Sequence, residues 1–207
     1  MPSPRFLSLD PAKQDAIVAA GLYEFAAHAY DAASTNRIVQ RAGISKGVLF
    51  KYFADKEAFF LYVAHRTVGA YLAGMPTGQQ DLFSWLRAVT AYKLQYVRHQ
   101  PDTYALFIRM TKDVEHPVYA RALRALAELL REFRPGVPLS AERPLRPGVT
   151  SDRVLNLLLW IANGLQEQFL ATAPDEVDDA FDAAFQGVVD EFDRYLDIVA
   201  NGLYEGE

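Results

Sequence analysis

Ser34–Lys56 reads STNRIVQRAGISKGVLFKYFADK, and its spacing decides the fold. Ser34 or Thr35 can cap one short helical segment ending near Ala42. Gly43 and Ile44 then supply a turn, and Ser45 can cap a second segment running to about Phe53. Two short helices meeting across a glycine turn form a helix-turn-helix, a motif that sets its second helix into the major groove of DNA. At about 100° per residue, Lys46, Gly47, Phe50 and Lys51 share an arc of roughly 140°. Leu49 and Phe53 lie on the other side, where Ile38 and Ala42 of the preceding segment are available to pack against them.

The outward face has the chemistry of a groove reader. Gly47 permits close approach, Lys46 and Lys51 can reach phosphates or guanine acceptors, and the Phe50 ring can touch a thymine methyl or a sugar. Ser45, Thr35 and Asn36 stand near helix amino ends, where backbone N–H groups help to hold phosphate. The net charge of −5 at first opposes a polyanionic partner. The charge is polarised, however. Between Ser34 and Lys56 stand five cations against Asp55 alone, whereas from Asp175 to Glu207 Arg194 is the one base among eleven acids. One end can approach DNA while the other repels it.

Outward from this stretch the hydrophobic period is helical nearly everywhere, which predicts an all-α fold of about nine helices. The first runs from Asp10-Pro11 to about His28, with Ile17, Ala20, Gly21 and Phe25 in one stripe. After the helix-turn-helix, Asp55 starts a fourth helix that reaches about Ala73. Five more are expected at about 79–99, 102–113, 117–134, 151–172 and 175–203, three of them announced by Pro101, Pro117 and Pro174. Residues 135–150, with four prolines and two glycines, read as a loop. The expected division is a DNA-binding domain over 1–56 and a ligand-binding and dimerisation domain over 57–207.

Composition narrows the function classes. With 51% apolar and 23% charged residues the chain is an ordinary globular one, and the absence of cysteine removes disulfides, thiol nucleophiles and thiolate metal sites. The N-terminus lacks an apolar signal core, and the longest strongly apolar run, Leu157–Ala162, is far short of the roughly 20 residues that span a bilayer. A cytoplasmic protein with no membrane partner is the expectation. His28, His65, His99 and His116 share no metal-ligand spacing, and neither a phosphate loop nor a nucleophile elbow occurs, so no enzyme, metal or cofactor is called for.

The run Ala42–Glu57, AGISKGVLFKYFADKE, closely resembles the TetR family of bacterial regulators. The resemblance extends back through Ile38-Val39 to Ile17–Ala20 and Phe25, covering roughly the first 60 residues. Two departures are visible: Ala29 where the family usually has glycine before an aromatic, and Phe50 where it usually has tyrosine, whose hydroxyl often contacts phosphate. Carried over by position, the resemblance implies that Thr35, Asn36, Ser45, Lys46, Gly47, Val48, Phe50, Lys51, Tyr52 and Lys56 line the DNA. Lys56 matches a family lysine that grips backbone phosphate. The resemblance also implies a double-stranded DNA operator, and a small-molecule inducer that displaces the fourth helix and changes the separation of two recognition helices.

A homodimer is the second expectation, since one short helix reads few bases and two-fold pairing doubles the contacts. The last two helices suit that role, with Leu158, Leu165, Phe181, Phe185, Val188 and Phe192 as candidate interface residues in a four-helix arrangement. For the inducer, Trp85, Tyr92, Tyr96, Phe107, Met110, Trp160 and Phe169 offer an aromatic, soft lining, with Asn163 and Gln166 as polar anchors, which points to an apolar or aromatic compound. The function expected is that of a repressor released by such a ligand. The competing readings are a ligand-independent architectural DNA-binding protein and, far behind, an all-α enzyme.

Overall fold

The computed structural model describes residues 2–78, 81–132, 145–172 and 179–203. Ten helices are described: α1 Pro4–Leu7, α2 Pro11–Ala27, α3 Thr35–Arg41, α4 Lys46–Tyr52, α5 Lys56–Ala73, α6 Leu82–His99, α7 Pro101–Lys112, α8 Pro117–Glu132, α9 Ser151–Thr172 and α10 Asp179–Leu203. The expected nine are present and α1 is the addition. The expected start of the last helix at 175 and most of the 135–150 loop lie outside the described residues. No helix among the described residues is long and apolar enough to cross a membrane.

The helix starts are fixed by side chains that satisfy otherwise orphaned N–H groups. Asp10 Oδ1 accepts from the Ala12 N–H at 2.9 Å and Asp55 Oδ1 from the Ala58 N–H at 2.7 Å. Ser34 Oγ accepts from Arg37 and Ser45 Oγ from Val48. Between α3 and α4 the chain turns at Gly43, whose φ of 64° is left-handed. There the Ile44 N–H bonds the Val39 carbonyl at 3.0 Å and the Gly43 N–H bonds the Gln40 carbonyl at 3.3 Å, a Schellman closure that a side chain at Gly43 would strain.

The chain forms two compact units: Met1–Gly74 with Gln100–Arg134, and Met75–His99 with Pro135–Glu207. In the first, α2 is flanked by α3, α5 and α7, and α8 lies on α5. Its core is dense and aromatic. Phe25, Phe53, Phe59, Phe60 and Tyr119 are buried with Ile17, Ile38, Leu49, Leu106 and Met110. Phe25 meets Phe60 edge-on at 5.0 Å, and Phe53 meets Phe59 at 4.8 Å. Gly21 is set by packing: a Cβ there would stand 2.6 Å from the Phe59 ring, so α2 and α5 approach closely because this position has no side chain.

The short α1 belongs to the same core. Phe6 is wholly buried and packs against Tyr52, Phe53 and Tyr62 at 4.9–5.6 Å, while the Ser3 N–H donates to the Tyr52 carbonyl at 2.8 Å. A four-residue helix is too short to announce itself by periodicity; one aromatic anchor holds it. In the second unit α10 packs on both α9 and α6. Leu82, Phe83, Leu94, Val154, Leu158, Phe169, Phe181, Phe185 and Leu196 are buried there, with Phe169 edge-on to Phe181 and Phe185 at 5.3 Å.

Candidate DNA-binding site and comparison with known proteins

The recognition segment α4 separates its faces as the sequence predicts. Leu49 and Phe53 are buried with Ile38, and Ala42 is packed against them. Lys46, Gly47, Phe50 and Lys51 are exposed on the opposite side, with Ser45 beside them at the helix start. A Cβ on Gly47 would meet nothing within 4 Å, so this glycine serves no internal packing and leaves the reading face flat. Asn36 is exposed, and Thr35 and Val48 are partly so.

Two residues that the resemblance assigned to DNA sit differently. Tyr52 is buried, its ring set against Phe6, so the side chain belongs to the core under the recognition helix. Lys56 does begin α5, but its Nζ lies 4.5 Å from the Tyr30 ring centre and donates to the Asp31 carbonyl at 3.4 Å. Burial lowers its pKa against the opposing pull of Asp31 and Glu24. Here Lys56 ties the amino end of α5 to the connection between α2 and α3.

The angle between α2 and α3 is held by a pair the sequence reading did not single out. Glu24 is only 3% exposed, on the same stripe as Gly21 and Phe25. Its carboxylate accepts from the Arg37 guanidinium, through Nη2 at 2.5 Å and Nε at 3.0 Å, and from the Ser34 N–H at 2.7 Å. Burial would raise the Glu24 pKa, yet the Arg37 and Ser34 hydrogen bonds outweigh it and hold the carboxyl below its ordinary value. Arg37 also donates to the Ala32 carbonyl at 3.1 Å, and Arg41 lies 3.4 Å over the Tyr23 ring. With Lys56, three of the five cations in the basic stretch are thereby engaged by protein, while Lys46 and Lys51 face outward. An acid on an apolar stripe was the available signal, because a buried carboxylate demands a partner.

The elements that flank the helix-turn-helix, α2, the α2–α3 connection and α5, are held by α7 and α8. Arg109 Nη2 donates to the Ala26 carbonyl at 2.9 Å, at the end of α2. The Tyr30 N–H donates to Tyr119 Oη at 2.7 Å, and Arg121 pairs with Glu57 at 2.6 Å. His116 approaches Asp31 at 3.5 Å and packs against Tyr30 and Tyr119.

The candidate ligand residues are distributed over both units. Phe107 and Met110 are part of the first core. Trp85, Tyr92, Tyr96, Trp160, Asn163, Gln166 and Phe169 belong to the second unit. Trp85 is buried with its indole N–H on the Pro76 carbonyl at 3.0 Å, Tyr92 and Tyr96 lie 5.7 Å apart, and Phe169 is core. Trp160 is 71% exposed and Asn163 is also exposed, so neither lines an enclosed site within that unit. The candidate interface residues Leu158, Leu165, Phe181, Phe185 and Phe192 are buried within the chain, and Val188 is partly buried. The apolar side chains left outside on α9 and α10 are Leu157, Leu159, Trp160, Tyr195 and Ile198. The residues expected at a dimer interface are covered by neighbouring helices of the same chain.

Comparison with known proteins agrees with this geometry. The family model for bacterial regulatory proteins of the tetR family matches residues 17–63. The HTH-type transcriptional regulator RutR of Escherichia coli is 32% identical over 99 residues, a match that spans 46% of this chain and 46% of RutR. Among solved structures, the transcriptional regulator SCO4942 of Streptomyces coelicolor is 27% identical with a TM-score of 0.52, covering 88% of this chain and 97% of that one. The flavonoid-responsive regulator FrrA shares the fold at 22% identity and a TM-score of 0.51, over 90% of this chain and 97% of its own. The matched segment contains the whole of α3, Gly43, α4 and the amino end of α5, so the similarity to bacterial regulatory proteins of the tetR family is centred on the helix-turn-helix.

Proposed function

We propose that the protein is a homodimeric, sequence-specific transcription regulator that represses from a palindromic operator and is released by a small apolar or aromatic ligand. The observation that carries this is the divided α4, with Lys46, Gly47, Phe50 and Lys51 outward over a buried Leu49 and Phe53. In this reading residues 1–56 bind DNA, and residues 57–207 bind ligand and pair two chains in the cytoplasm. Lys46 and Lys51 replace counterions along the phosphates, while Phe50 supplies an apolar contact in the groove. Pairing uses the apolar side chains left exposed on α9 and α10, centred on Trp160 and Ile198, since a patch of that kind on a water-soluble chain marks a contact surface.

Ligand response has a covalent route. The chain passes from α6 into α7 at His99–Pro101, and α7 holds the end of α2 through Arg109. A ligand that favours a displaced α6 would act on the helix-turn-helix through that linkage, to the extent that it binds the displaced state better. FrrA, described as flavonoid-responsive, supports an aromatic compound as the kind of ligand this fold accepts.

The test is selection of bound duplexes from a random DNA pool at about 0.15 M salt. Enrichment of a palindrome with a fixed half-site spacing is expected. Tight binding without enrichment would replace this reading with that of an architectural protein.

A further inference from the structure

Lys93 differs from the two arginines that flank it on α6, Arg87 and Arg98, which are both ion-paired. Arg87 is paired with Asp193 and Asp197, Arg98 with Asp182 at 2.8 Å, and Arg194 with Glu191 at 2.7 Å. None of the ion pairs among the described residues includes Lys93. From α6 its Nζ reaches Gln166 Oε1 of α9 at 3.3 Å and lies 5.9 Å from the Phe185 ring of α10. The amide oxygen occupies one of the three ammonium donors. Desolvation lowers the Lys93 pKa and no neighbouring charge offsets it. Among the described residues this partly buried ammonium meets no opposite charge, so it is placed to receive an anion from outside.

The surroundings indicate what that partner looks like. Phe185 belongs to an aromatic cluster with Phe169 and Phe181. One turn before Lys93, Thr90 lines a cleft of about 190 Å³ between α6 and α10, walled by Val189, Phe192 and Leu196. A cavity of roughly 150 Å³ accommodates a benzene ring, so one ring or a short acyl chain is the right scale. Arg87, Asp190 and Asp193 complete the lining; Asp193 is neutralised by Arg87, and Asp190 accepts from Gln186 at 2.9 Å.

We propose that Lys93 is the anion anchor of the ligand site, and that the regulating molecule is a small apolar monocarboxylate whose carboxylate takes the Lys93 ammonium while its ring or chain lies against α6 and α10. This inference rests on the ligand-responsive reading above and narrows it from apolar compounds in general to apolar acids. An ion pair formed in this desolvated setting is stronger than one in water, and Gln166 can retain one donor while the carboxylate takes the others.

The test uses isothermal titration calorimetry on the full chain with benzoate and hexanoate and their neutral counterparts benzamide and hexanamide, on the parent protein and on Lys93→Met. The acids are expected to bind the parent protein and to lose at least tenfold in affinity on Lys93→Met, with the amides at least tenfold weaker on the parent. Lys93→Met without ligand is expected to melt higher, because an apolar chain of similar length removes an unpaired charge. Amides binding as tightly as acids, or undiminished acid binding by Lys93→Met, would overturn the anchor while leaving a ligand-responsive regulator intact. A lower melting temperature for Lys93→Met would also overturn it, showing the ammonium to be satisfied within the fold. Failure of all four compounds to bind removes the monocarboxylate class; the ligand-responsive reading is then judged separately, by whether any neutral compound weakens DNA binding.

Discussion

The two units solve the problem of burying apolar surface in opposite ways. Around the helix-turn-helix, seven helices close on an aromatic core whose largest members, Phe6, Phe25, Phe53, Phe59 and Phe60, are all essentially inaccessible. What remains outside there includes Lys46 and Lys51 of α4 together with four scattered large apolar side chains, Leu7, Tyr23, Phe50 and Val114, none more than 57% exposed. In the unit of α6, α9 and α10, the inward stripe is equally well buried, yet Trp160 and Ile198 remain 71% and 66% exposed. The first unit exposes cations on one short helix; the second gathers its exposed apolar side chains on two long ones. A polyanion suits the one and a second apolar helix face suits the other. Phe181 and Phe185 also show that an apolar stripe in sequence signals burial without saying by what.

The contrast breaks most sharply in the core. Phe60→Ala should cost about 3–5 kcal/mol by urea unfolding, because it opens a cavity inside the core of one chain. Trp160→Glu should cost roughly 2–4 kcal/mol of pairing energy and convert a dimer to monomers by light scattering, with α-helical content retained. A stable dimer after that substitution would move the interface away from α9. Glu24→Gln should destabilise by about 1–3 kcal/mol at neutral pH, since the amide cannot match the Arg37 fork. The sign with pH follows from a lowered folded-state pKa. Stability from Glu24 is present above the unfolded glutamate range and lost as pH falls through the folded value, so Glu24→Gln should flatten the acid side of the stability profile. The smallest effect belongs to the surface. Lys51→Ala should leave folding unchanged, weaken operator binding by about 1 kcal/mol and reduce the salt slope by about one.

Much of this was legible in the sequence, for reasons that differ by element. Asp10, Ser34, Ser45 and Asp55 announce helix starts because each is a short acceptor before an apolar-periodic run, and each does cap its helix. Gly43 announces the turn because only a residue tolerant of positive φ fits. The outward face of α4 follows from angular spacing alone. The intramolecular contacts of Tyr52 and Lys56 were not legible because they come from distant parts of the chain: Phe6 covers Tyr52, and Tyr30 with Asp31 receives Lys56. The same holds for α1, whose single anchoring ring leaves no periodic trace, and for Arg109 and Tyr119, whose partners lie more than 80 residues away. The candidate ligand residues were identified by type, and type alone could not tell that Met110 is core and Trp160 exterior.

The grip of α7 and α8 on the elements that flank the helix-turn-helix has a consequence for divergence. Arg109 addresses the carbonyl of Ala26 and Tyr119 receives the N–H of Tyr30, so both hold backbone groups and neither depends on a side chain of the reading surface. Substitutions at Lys46, Gly47, Phe50 or Lys51 can therefore change the exposed face of α4 without disturbing those holds. Drift on one helical face is thus tolerated by the fold, and the exposed surface and the support beneath it can be inherited or engineered separately.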